Sequence, residues 1–227
     1  MSEWCSKGPT LEEDIALSNI SLDLFGQANG FYEYAAKLDG SKSPDDLAFK
    51  RNEREFFNHQ LSEQENGNFG RTTVRNFLHD AFSLLFYTEL TSSRDETLAA
   101  LASKSLKEVK YHYRHSSNWL VRLGDGTKES NSKVQEALNS LWQYTGELFE
   151  MDQIDNEMLE NRIGVDNIQL KEEWDKLIDS TLRKAKLKRP IDGYMATGSK
   201  KGIHTEHLGF LLAEMQFLPR AYPNAKW

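Results

Sequence analysis

The sequence is poor in several things that would have marked particular classes of protein. It has one cysteine, Cys5, so no internal disulfide is possible, and with no neighbouring cysteine no zinc motif opens there. Cys5 is read as a small apolar contact. Only five prolines occur, and runs of β-branched residues are few. There is no excess of basic charge: the formal net charge is -7, which argues against nucleic acid or an anionic membrane as the main partner. The longest strongly apolar run, FSLLFY from Phe82, falls far short of the roughly 20 residues that span a bilayer. MSEWCSKGPTLEED at the start lacks the basic and then apolar regions of a secretory signal, so the expected location is cytoplasmic.

What is present is helical periodicity. The expected fold class is all-α, a single domain over residues 1–227, with core helices at about 11–150 and C-terminal helices and a tail at about 167–227. The first helix runs from Leu11 to Leu38 on a stripe of Leu17, Ile20, Leu24, Ala28, Phe31, Ala35 and Leu38. GSKSPDD breaks the chain, and a second helix is predicted over 46–64. A third, over 71–90, has Val74, Phe77, Leu78, Ala81 and Leu85 on one face. Ser93-Arg94-Asp95 is a tight connection, so the fourth helix, over 96–123, runs antiparallel to the third. A fifth, capped by Ser130, is predicted over 132–150, a sixth over 167–186 and a last short one over 205–218. RPIDGYMATGSKKG is the long irregular connection.

The stretch KEVKYHYRHSSNWL, beginning at Lys107, poses the functional question. A four-helix bundle that holds two irons carries Glu-x-x-His on two helices and a further carboxylate on each of the other two, all aimed inward. Here Glu108 precedes His112 by four, and Val109 holds the place of the ligand glutamate. For the six histidines, His59, His79, His112, His115, His204 and His207, the residues three before are Phe56, Asn76, Val109, His112, Lys201 and His204. None is acidic.

At about 100° per residue, Val109 sits at the centre of its apolar arc and His112 at the edge, while Glu108 is rotated aside. Asn76 and His79 face away from the third helix's stripe, and the inward pairs at motif spacing are Phe77 with Asp80 and Tyr144 with Glu147. Asp23, Asp80, His112 and Glu147 are thus expected as a polar remnant of a degenerate metal site. Two readings stay open: a buried hydrogen-bonded or ion-paired network in place of metal, or a residual single-ion site. No Gly-rich phosphate loop or Ser-His-acid signature stands out, and GDGT after the fourth helix reads as a helix stop. KAKLKR from Lys184 and the pair Lys200-Lys201 suit a solvated helix end, a phosphate-bearing ligand or an acidic partner. Aromatic residues are plentiful, with Trp142, Tyr144 and Phe149 close together and Trp119, Tyr111, Tyr113, Phe217, Tyr222 and Trp227 elsewhere. Such an excess suits either a ring-rich core or a partner interface.

Five stretches carry a resemblance: NISLDLFGQA at Asn19, NGNFGRT at Asn66, the long block from Ser93 to Ser130, LWQYTGELF at Leu141, and GSKKGIHTEHLGFLLAEMQFLPRAYPNAKW. In these the chain resembles the PaaA/PaaC family of phenylacetyl-CoA epoxidase subunits, and within it the C-type branch. The family usually has a further stretch ahead of Glu3-Trp4-Cys5. The resemblance implies a ferritin-like bundle with additional helices and degenerate ligand positions. It implies a non-catalytic structural subunit with no cofactor of its own. Its partner would be an A subunit that holds di-iron and the acyl-CoA, joined in the complete system by a B subunit and an NADPH-dependent reductase. Under that resemblance Trp142, Tyr144, Lys200, Lys201, His204, His207 and Trp227 are the candidate partner-binding residues. The alternative is a metal-dependent oxygenase in its own right, with a non-standard site.

Overall fold

A computed structural model describes residues 1–223 and 225. Among the described residues there are helices and turns and no strand. Helix α1 spans Leu11–Asp39, its Thr10 cap accepting from the Glu13 amide, and it stops at Gly40, whose φ of 73° is a left-handed conformation that glycine adopts without strain. Then come α2 (Gln60–Glu63), α3 (Phe69–Leu90), α4 (Glu96–Gly124), α5 (Lys128–Leu141), α6 (Gln153–Glu160), α7 (Asn167–Lys184) and α8 (Glu206–Ala221). The architecture is all-α, in keeping with a ferritin-like bundle.

Helix α3 is the centre of the molecule, touched by α4, α5 and α7. Consequently Thr72, Thr73 and Arg75 are buried along with the expected Val74, Phe77, Leu78 and Ala81. The tight connection after Leu90 turns α4 back along α3, and Phe69 meets Trp119 while Phe77 meets Tyr113, as antiparallel helices require. Helix α1 lies beside α4, also antiparallel: Asp23 reaches His112, Gln27 reaches Glu108 and Tyr34 reaches Asp95. The main core brings Phe77, Leu78, Leu120, Leu138, Leu141, Leu148, Trp174 and Ile178 together, and the Trp174 indole N–H donates to the Leu78 carbonyl. Gly124 allows α4 to end against α7's exit, since a Cβ there would fall 2.2 Å from the Ala185 carbonyl oxygen.

Three expectations change, and one further helix appears. The continuous helix over 46–64 is replaced by a π-helical turn at Asp46–Lys50, a 3-10 turn at Glu53–Glu55 and the single turn of α2. Arg51 draws the chain away from helix: its Nε donates to the Leu47 carbonyl, and its guanidinium lies 4.1 Å from the centre of the Phe56 ring. The fifth helix starts earlier, at the Thr127 cap, and stops at Leu141. The Thr145 hydroxyl and amide both donate to the Trp142 carbonyl there, tightening the chain into 3-10 turns. Helix α6 was unforeseen because it buries no residue and so has no core stripe to detect; Asp152 and Asp155 form its capping box. Cys5, expected as an apolar contact, is exposed.

Candidate functional site

Inward from α4, His112 is buried and its Nε2 lies 2.9 Å from Asp23 Oδ2 on α1. One turn on, His115 Nε2 lies 2.7 Å from Glu13 Oε2, and Gln27 Nε2 donates to Glu108 Oε2 at 2.8 Å. The seam between α1 and α4 is therefore made of polar pairs. Across the bundle, Ser116 Oγ donates to Asp80 Oδ2 at 2.7 Å. Asp80 keeps a little accessible surface, yet its carboxyl is ringed by protein, and that desolvation pushes it up to about 7. Arg75 is buried close by, its guanidinium spanning the Gln64 carbonyl and Asn66 Oδ1; burial pulls it down to about 10.

Val109 lies among these groups, only 2% exposed, and Phe77 is sealed from solvent and stacked on Tyr113. Where a ligand glutamate would stand there is an isopropyl group. Glu147, expected with Asp23, Asp80 and His112, is elsewhere. The 3-10 turns that replace the end of the fifth helix carry it to α2, where Oε1 accepts from the Gln60 amide. Its carboxyl is raised by burial, and Oε2 is buried without a partner. His79, expected on an outer face, is instead held among protein groups, because α3 is flanked on several sides; its Nδ1 lies 3.2 Å from Ser83 Oγ, and desolvation lowers it to about 4. His59, edge-on to Phe82, is lowered to about 3 for the same reason.

Among the described residues, no three or more His, Cys, Asp and Glu side chains are grouped as they would be around a metal ion. A di-iron centre needs about six protein ligands. The residues at this position do not fit one.

A model of the family described as "Phenylacetic acid catabolic protein" matches residues 1–227. The chain belongs to that family. It is also 48% identical, over 227 residues, to the C subunit of the 1,2-phenylacetyl-CoA epoxidase of Escherichia coli (strain K12), an alignment that covers all of this chain and 92% of that protein.

In this member of the phenylacetic acid catabolic proteins, the other candidate residues divide. Trp142 is buried, its indole N–H donating to Asp192 Oδ1 at 2.8 Å under the Arg189 guanidinium, and Tyr144 packs on the core. Trp142 is taken into the ring cluster around Trp174, while Tyr144 keeps some accessible surface. Lys200 is tied to Asp155 by an ion pair. His204 is enclosed by its own chain, with Nδ1 2.6 Å from Glu63 Oε1 and Nε2 2.8 Å from the Phe56 carbonyl. Lys201 is exposed and His207 half-buried. Trp227 lies outside the described residues.

The Glu63 cluster had no signal in the sequence. Glu63 is buried and accepts from Asn58 Nδ2, the Thr205 amide and the Thr205 hydroxyl, besides facing His204. Since the Phe56 carbonyl can only accept, His204 must donate from Nε2, and one proton is shared between Nδ1 and the Glu63 carboxyl. The pair is thus neutral overall wherever that proton rests. It pins the irregular connection and α8 to the 56–64 segment.

Proposed function

We infer that this chain is a non-catalytic subunit of a multicomponent phenylacetyl-CoA epoxidase, a helical scaffold that packs against a di-iron A subunit of the same enzyme. The observation that carries the reading is Val109, buried at the ligand position, with its neighbour His112 committed to Asp23. Kinship with the C subunit of the Escherichia coli epoxidase supports membership of a multi-subunit enzyme. Hydrogen-bonded polar pairs and apolar side chains fill the region where a metal-binding relative would direct carboxylates, and such a region gives dioxygen nothing to react with. What it supplies is shape: a stable bundle whose outer faces are free for assembly.

The test is reconstitution. The chain purified alone and exposed anaerobically to ferrous iron is expected to retain less than about a tenth of an iron per chain and to turn over no phenylacetyl-CoA with the reductase. Adding the A subunit is expected to give a stable complex and, with the remaining components, epoxide. Turnover by this chain with the reductase alone would make it an oxygenase in its own right and end the scaffold reading.

A further inference from the structure

Helix α4 carries Lys104, Lys107, Lys110, Arg114 and Arg122, and all five are exposed. At about 100° per residue they fall within an arc of roughly 120°, so they form one basic ridge about 27 Å long. Between Thr97 and Gly124 the only acid is Glu108, and its carboxylate is taken by Gln27. Among the described residues none of the five cations makes an ion pair, although Lys133, Lys171 and Lys176 on other helices and Lys186 just past α7 all do. Like charges spaced three and four apart weaken a helix, and only Arg122 is near enough to the C-terminus to gain from the dipole. The net charge of -7 had hidden this ridge, because a sum over the chain says nothing about distribution.

Beside it runs a second unpartnered face. On α1, Leu11, Ile15, Leu22 and Phe25 are between 53% and 73% exposed and recur at helical spacing on the side away from the core residues Leu17 and Ile20. Helices α1 and α4 share a seam, α4 packs along α3, and Phe31 of α1 stacks on Tyr87 of α3. The two helices run antiparallel, so the apolar ridge of one and the basic ridge of the other are both carried on exposed sides of the same helix pair.

We propose that this α1–α4 face is the docking surface for the epoxidase partner subunit, and that the partner presents to it a helical surface with an acidic row set beside an apolar row. The proposal rests on the partnership reading above. Charge complementarity selects the occupant. On an acidic chain, five cations without a carboxylate partner, of which Arg114 and Arg122 lie over the Tyr111 and Trp119 rings, call for carboxylates, and the exposed leucine, isoleucine and phenylalanine of α1 call for apolar side chains. A nucleic acid backbone would answer the first ridge and leave the second uncovered. A second copy of this chain would have to set its own α1–α4 face, basic ridge included, against the first.

Two full-length variants test it: Lys104→Glu/Lys107→Glu/Lys110→Glu and Leu22→Asp/Phe25→Asp. All five side chains are exposed, so unchanged circular dichroism and thermal unfolding are expected to show that both fold. Affinity for the purified A subunit is then measured by biolayer interferometry at about 50 mM and about 300 mM salt. Each variant is expected to bind roughly 30-fold or more weakly than the unmodified chain, and the lysine variant to lose most of the salt dependence. Lys133→Glu/Lys176→Glu, on the outer faces of α5 and α7, is expected to bind as the unmodified chain does. If the unmodified chain binds the A subunit and either α1–α4 variant binds equally well, the face is wrong and the partnership stands. If the unmodified chain does not bind, the partnership falls and this occupant with it. Loss of self-association or of oligonucleotide binding in the variants, with A-subunit affinity unchanged, overturns the proposal in favour of a second copy or a nucleic acid.

Discussion

Replacing Asp80 by asparagine isolates the cost of ionising a carboxyl inside the bundle. A folded-state value of about 7 against an ordinary 3.8 means that the native protein holds this proton over a pH range in which the unfolded chain has released it. Stability from this group is complete below about pH 4, declines by about 1.4 kcal/mol per pH unit through the interval, and is lost above about pH 7, a total of about 4 kcal/mol. Asparagine keeps an oxygen for the Ser116 hydroxyl and has no proton to lose. Urea unfolding followed by far-UV circular dichroism, repeated from about pH 4 to about pH 8, gives a difference curve between Asp80→Asn and the unmodified chain. That curve is expected to rise by about 4 kcal/mol toward alkaline pH, with most of the rise before about pH 7. Any packing penalty of the new amide shifts the whole curve and leaves its shape alone. Two curves that stay parallel within about 0.5 kcal/mol would refute the desolvation argument and place Asp80 in contact with water.

Other outcomes follow from the same interior. His79 and His59, lowered to about 4 and about 3, bind fewer protons when folded, so the stability they carry above pH 6.5 is lost as pH falls toward those values. In the Asp80→Asn background, His79→Gln is expected to remove about 1.4 kcal/mol per pH unit from the acid limb of the urea titration. Val109→Glu is expected to bind less than about a tenth of an iron per chain and to lose about 3 kcal/mol or more, since the new carboxyl replaces a buried apolar group and finds no ligand set; stoichiometric iron by mass spectrometry would show that the faces have been misjudged. Breaking the enclosed pair with His204→Ala is expected to cost about 3–5 kcal/mol in urea unfolding, because Glu63 stays buried with an unbalanced charge. A loss under about 1 kcal/mol there would mean that water reaches Glu63.

Much of this was legible along the chain because it is local. The apolar stripes of α3, α4 and α7, the stop at Gly124 and the short turn at Ser93-Arg94-Asp95 each follow from a few neighbouring residues. So did the valine at position 109, since three residues of helix suffice to show that no carboxylate shares His112's inward side. The segment over 46–64 failed because Arg51 found a partner outside it, the Tyr32 hydroxyl, and closed over the Phe56 ring, contacts that outweighed helix propensity. Glu147 was assigned to the wrong cluster because a break at Trp142 changed the phase of every residue after it.

Sequence alone determined the long helices α1, α3, α4 and α7, the antiparallel run of α3 and α4, and the valine three residues before His112, all matters of local spacing. Tertiary structure decided which groups meet: Glu63 with His204 across 141 residues and Asp23 with His112 across 89, and it left a basic ridge of α4 and an apolar ridge of α1 exposed on one helix pair. The division has a physical origin. A helix fixes the direction of its side chains within one turn, whereas burial, partner and charge environment depend on which helices the core draws together.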